Sequence, residues 1–179
     1  VSNASMPSER VFESSLHEVE TAVSKVKEEV DKVKDDFDEL TAIVERQNIG
    51  VIKMEVVRNR GPEHGFLRKV RKLANDNGIV LIFDECTSGF RETFGGIHKK
   101  YGVDPDIAMF GKAMGNGYAI TAVLGRKDVM EAAQSSFISS TFWTERIGPT
   151  AALKTLELMD RERSWEVITR SGLDIRSGI

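Results

Sequence analysis

Two short segments of this chain carry residue types that could do chemistry. The first is Ile79-Val80-Leu81-Ile82-Phe83, an unbroken apolar run that ends in Asp84-Glu85. Such runs belong to parallel strands buried on both faces, and carboxylates just past them stand at the edge where open α/β sheets build their sites. An acid there can bind a metal, orient a base, pair with a cationic ring nitrogen, or merely cap the next turn. The second segment is Phe110-Gly111-Lys112-Ala113-Met114-Gly115-Asn116-Gly117, in which one lysine follows a short apolar strand among three glycines. Glycine lets a bulky ligand approach the backbone, and a partly desolvated lysine is a competent amine nucleophile. Read alone, it is equally a surface lysine in a turn.

The elements that must position these residues follow from the pattern around them. Val51–Val57 reads as a strand, closed by the loop Arg58-Asn59-Arg60-Gly61-Pro62. Phe66, Val70, Leu73 and Ala74 have helical spacing, and Asn77-Gly78 ends that helix. Ile107–Phe110 and Ala119–Gly125 are further strands, while Lys127–Gln134 and Pro149–Arg161 read as helices. Strand, helix, strand in this order implies right-handed crossovers and an α/β fold with a mainly parallel sheet and flanking helices. Asp84 and Lys112 then both sit just past strand ends, one helix-sized connection apart, and can face one cleft.

The stretch before this part is different in style. From Ser14 to Gln47 there is no Gly or Pro, and apolar residues fall at Leu16, Val19, Val23, Val26, Val30, Val33, Phe37, Leu40 and Val44. The steps alternate three and four without a miss, a heptad seam. It describes either a coiled coil that joins chains or one amphipathic helix packed on its own domain. The domain reading is therefore residues 1–13 as a disordered tag remnant, 14–47 as the long helix, and 48–179 as the α/β part.

Composition excludes several classes. The chain has 179 residues, 40% apolar and 30% charged, with a net charge of −3, which gives no field for nucleic acid or an anionic membrane. One cysteine, Cys86, excludes an intrachain disulfide framework and fits a reducing, cytoplasmic setting. No apolar run approaches the roughly 18 residues that span a bilayer. His17, His64 and His98 have no metal-ligand spacing to Cys86, and Gly111, Gly115 and Gly117 do not make a dinucleotide fingerprint. Phe142, Trp143 and Arg146 read as core or surface residues.

An amine with a carboxylate is the pair that pyridoxal phosphate (PLP) chemistry requires, the acid keeping the ring nitrogen protonated. The runs LIFDECTSGFR (81–91), GVDPDIAMFGKAMGNGYAITAVLG (102–125) and SSTFWTERIGPTAAL (139–153) resemble, in one continuous order, class III PLP-dependent aminotransferases of fold type I. The branch they are most similar to is the glutamate-1-semialdehyde aminomutase-like group, and the resemblance covers about Phe37 to Arg176.

The resemblance implies that Lys112 is the catalytic Schiff-base lysine and later a general acid/base. It implies that Asp84 bonds the ring nitrogen and that Cys86 packs on a ring face. Thr141 would reach the cofactor phosphate of a neighbouring subunit, so the resemblance implies a homo-oligomer. Glu55 falls where the family has a Glu-Pro pair, with Val56 in place of the proline. Partners would be a small-molecule amino donor and a carbonyl acceptor, and aminomutases and racemases use the same pair of residues. Nothing matches the family's phosphate-cradling loop or its C-terminal small domain, so the chain reads as a partial large domain. The alternative is a non-catalytic coiled-coil oligomerisation module fused to an aminotransferase remnant.

Overall fold

The computed structural model describes residues 7–178 apart from 59, 140 and 143, and within its first helix the side chains of 7–17, 29, 33 and 35 are not described. The chain divides between Gln47 and Asn48 into two units.

The first unit is one helix, α1 (Pro7–Arg46). It begins at Pro7 rather than Ser14, so residues 7–13 are helical, not disordered; proline suits a first helical turn, whose N–H groups have no partner within the helix. The remaining tag-like residues, Val1–Met6, lie outside the described residues. The heptad seam is uncovered over its middle: Val19, Val23, Val26 and Val30 are 59%, 61%, 53% and 39% exposed. Leu40 is half-buried and Val44 buried.

The second unit is an α/β fold built on a four-stranded sheet in the order β1 (Val51–Glu55), β2 (Val80–Asp84), β3 (Ile107–Phe110), β4 (Ala122–Gly125). The first three strands are parallel, and β4 pairs antiparallel with β3. Helix α2 (Phe66–Asp76) makes the crossover between β1 and β2. It buries Leu67, Val70 and Ala74 and stops at Asn77, whose side-chain amide donates to the Leu73 carbonyl. Gly78 follows at φ 65°, a left-handed turn that favours glycine. A short helix α3 (Lys127–Met130), a 3-10 turn over Glu131–Ser135, and helices α4 (Ile147–Glu162) and α5 (Ser164–Ser177) complete the unit.

Alternation along the strands separates two faces. Leu81 and Phe83 are fully buried on one, and Ala108, Phe110, Met114 and Ala152 form a further cluster against Phe90, Ile120, Ala122 and Leu156. Asp106, 4% exposed, ties the sheet together from the turn before β3. Its carboxylate accepts from the Leu81 N–H, from Arg71 on α2 and from Arg126 after β4, each at 2.8 Å. Those bonds outweigh the upward push of burial and hold its pKa below the ordinary aspartate value.

Candidate active site

The site lies at the C-terminal ends of β2 and β3. Asp84 is the last residue of β2, in register with Glu55 on β1 and Met109 on β3. One oxygen, Oδ1, accepts the Cys86 N–H at 3.2 Å, and the other, Oδ2, pairs with Lys53 Nζ at 2.9 Å. The hydrogen bond from Lys53 is the largest influence on Asp84 and holds its carboxyl below the ordinary value, against some desolvation. Asp84 is therefore an ionised, partly exposed carboxylate with both oxygens engaged, and the Cys86 thiol hydrogen-bonds to it as well.

Glu85 points the other way and is fully buried. Its Oε1 accepts the His98 N–H at 3.0 Å and His98 Nδ1–H at 2.8 Å, while Oε2 accepts the Ile97 N–H at 2.9 Å and the Ser88 hydroxyl at 2.6 Å. Burial pushes its pKa up, but these bonds prevail and the net direction is down. The two ends of the loop from Glu85 to His98 are thus clamped together beneath Asp84. Gly89 completes the clamp, since a Cβ there would lie 2.7 Å from the Phe110 ring and 2.8 Å from the Glu85 carbonyl oxygen.

Lys112 opens a 3-10 turn, Lys112–Met114, directly after β3. Its φ is +43°, a left-handed conformation that a residue with a Cβ adopts only when its surroundings impose it. Gly115 makes the loop possible, because a Cβ there would collide with the Tyr118 carbonyl, whereas a Cβ on Gly111 would make only ordinary contacts, 3.5 Å from Thr121 and 3.7 Å from Cys86 Sγ. The exposed Lys112 Nζ donates to Thr87 Oγ1 at 2.6 Å.

These groups share one neighbourhood. Burial and then the Asp84 carboxylate raise the Cys86 thiol pKa, while the charges of Lys112 and Lys53 pull it down. The structure therefore places Asp84 and Lys112 at neighbouring strand ends, with Cys86 within the influence of both. Thr141 lies exposed in the turn before α4 and is not among the contacts described for those three residues. Arg146 stands just before α4, whose first N–H groups donate to the Glu145 carboxylate, and lines a cleft of about 550 Å³ with Asn116, Tyr118 and Lys154. His98 serves Glu85, and among the described residues no cluster of His, Cys, Asp or Glu is arranged to hold a metal ion.

Three contributors escape sequence reasoning: Thr87, Glu85 as an anchor, and Lys53. Only Glu85 had a legible signal. Alternation at a strand end sends consecutive residues to opposite faces, so one acid of the pair had to face the buried side.

Comparison with known proteins places the chain in a family. The family described as aminotransferase class-III matches residues 2–178, starting well upstream of Phe37, where the motif resemblance begins. The 3-aminobutyryl-CoA aminotransferase of Cloacimonas acidaminovorans (strain Evry) is 47% identical over 112 residues, 62% of this chain and 27% of that protein. The PLP internal aldimine form of the Sphingopyxis sp. MTA144 FumI protein superposes with a TM-score of 0.72 at 27% identity, over 76% of this chain and 35% of that one. A thermostable (S)-enantioselective omega-transaminase from Thermomicrobium roseum gives 0.68 at 28% identity, over 75% and 33%. The chain spans about a third or less of the length of these relatives. No described helix is long and apolar enough to cross a membrane.

Proposed function

From the premise that the chain belongs to the class-III aminotransferase family, we propose that the Asp84–Lys112 cleft is a PLP site serving amino-group transfer from a small-molecule donor to a carbonyl acceptor. The observation that carries this reading is an exposed amine, Lys112, and an ionised carboxylate, Asp84, at the ends of adjacent parallel strands, with Cys86 feeling the charge of both.

The donor set fits the cofactor at both ends of its ring chemistry. When bound, PLP supplies an aldehyde and a cationic ring that takes up electrons. Asp84 accepts from the ring nitrogen, and its lowered pKa keeps it anionic to do so. Cys86, protonated because its pKa is raised, presents a soft neutral surface to the ring. Lys112 would provide the attaching amine at Nζ and, as a free amine, could take and return a proton as general base and acid. Thr87 Oγ1 holds that amine in place between the two tasks. Thr141, exposed in its turn, serves the cofactor phosphate of a neighbouring subunit in this reading. The single cysteine supports a cytoplasmic enzyme.

Visible spectra of the purified chain titrated with PLP, followed by borohydride reduction and peptide mapping, test this. The expected result is a cofactor band and a reduced label confined to Lys112, with neither in Lys112→Ala. A flat spectrum with no label on the wild-type chain would overturn the reading.

A second reading concerns α1 and is carried by the exposure of Val19, Val23, Val26 and Val30. Four consecutive seam valines left to water on a regular heptad repeat suit a coiled coil between copies of the chain. In this reading α1 is the association device of a homo-oligomer.

A further inference from the structure

We propose that Lys53 is a positioning residue of this site, its ammonium fixing the Asp84 carboxylate from the neighbouring strand. The inference rests on reading the cleft as a PLP site, because it is Asp84's role there that Lys53 supports.

The sheet geometry explains how one strand reaches the other. Glu55 stands in register with Asp84, and Lys53 with Ile82. Residues paired across parallel strands point to the same face, and so do residues two apart along one strand. Lys53, Glu55, Ile82 and Asp84 therefore share a face, with Lys53 one pleat short of Asp84. A side chain with four methylenes can cover that diagonal, and Lys53 does so, its Nζ stopping 2.9 Å from Asp84 Oδ2.

The charges give the contact its purpose. Asp84 and Glu55 lie side by side on adjacent strands, two carboxylates on one face of the sheet. Lys53 is the cation between them: its pKa is raised by Asp84 first, and by Cys86 and Glu55 further down. Lys112 is the other cation acting on this group, through its charge on Cys86. With Cys86 N–H on Oδ1 and Lys53 on Oδ2, the carboxylate is held at both oxygens. The Cys86 thiol also donates to this carboxylate, and of its four lone-pair sites one remains to offer a ring N–H. Mid-strand position 53 faces Ile82, where an apolar side chain would pack as well. What lysine adds there is the reach to Asp84.

Two variants separate this role from a surface ion pair of no consequence. Lys53→Met keeps the stem and removes the charge, and Lys53→Arg keeps both. We would follow the Asp84 side-chain carboxyl by 13C NMR across pH in the full chain without cofactor, and measure the dissociation constant of PLP by equilibrium dialysis. In Lys53→Met the Asp84 midpoint is expected to rise by about one pH unit, and PLP is expected to bind several-fold more weakly. Lys53→Arg is expected to restore both. An unmoved midpoint in Lys53→Met overturns the proposal, and so does a moved midpoint with unchanged PLP affinity. If the midpoint moves but neither wild type nor variant binds PLP, the Lys53–Asp84 couple stands and the cofactor reading fails.

Discussion

Replacing Glu85 with alanine is expected to destabilise the α/β unit by about 3–5 kcal/mol, the range for breaking a buried charged network by removing one partner. Glu85 is fully buried and accepts four hydrogen bonds. Alanine would leave two backbone N–H groups, the Ser88 hydroxyl and His98 Nδ1–H without an acceptor in the interior, each costing part of its desolvation. Glutamine does not rescue the site. It keeps one acceptor oxygen, but its NH2 meets two donors where Glu85 presents the other. Urea unfolding followed by tryptophan fluorescence gives the measurement. The variant should show a lower midpoint at an unchanged slope. A loss below about 1 kcal/mol would mean that the network is open to water and that the clamp is not what holds this loop.

The pH dependence has a definite sign. The hydrogen bonds leave the folded carboxyl of Glu85 below its ordinary value, despite burial. Its contribution is present above the unfolded pKa and lost as pH falls through the folded one. Wild type should therefore lose stability on acidification below the usual glutamate range, and Glu85→Ala should lose less over the same interval. The same clamp carries Thr87, whose hydroxyl holds the Lys112 amine. Its failure is expected to loosen the site as well as the fold.

The strand ends were legible in the sequence because burial and chemistry coincide there. An apolar run followed by an acid fixes both the strand β2 and the position of Asp84, and Asn77-Gly78 marks the end of α2 by turn chemistry alone. Strand lengths were less legible, because pairing rather than composition sets them. Ala119–Thr121 read as part of β4, yet β4 begins at Ala122, where Phe110 is the last residue of β3 available to pair. Val56 and Val57 fall outside β1 likewise, since Asp84 ends its partner. Helix α5 was not read at all. It starts after Arg163, which takes φ +50° where a glycine would have signalled the break, and its Val167, Ile168, Leu173 and Ile175 are all exposed. In the site, the lysine and the aspartate were accessible to sequence reasoning because each stands at a strand end, whereas the cysteine came only with the family resemblance. Lys53 was not, since its partner is fixed by the β1–β2 register and no motif encodes that.

Placing lysine at both Val26 and Val30 is expected to abolish association through α1. Burying one valine is worth at least about 1.5 kcal/mol, and in a two-stranded coil the pair of substitutions removes four such burials. That is about 6 kcal/mol, or roughly a 10⁴-fold weaker association, before any repulsion between the new charges. Both residues are more than a third exposed in the single chain, at 53% and 39%, so the substitutions should cost the isolated fold little. Sedimentation at micromolar concentration is the direct readout, with wild type heavier than one chain and the double variant lighter. Circular dichroism adds a second, because a helix that loses its partner frays. An equal exposed pair on α1 off the seam, Lys25→Ala with Lys32→Ala, should change neither. If the seam variant sediments as wild type does with its helicity intact, copies of the chain do not meet along these valines, and any oligomer must form through the α/β unit instead.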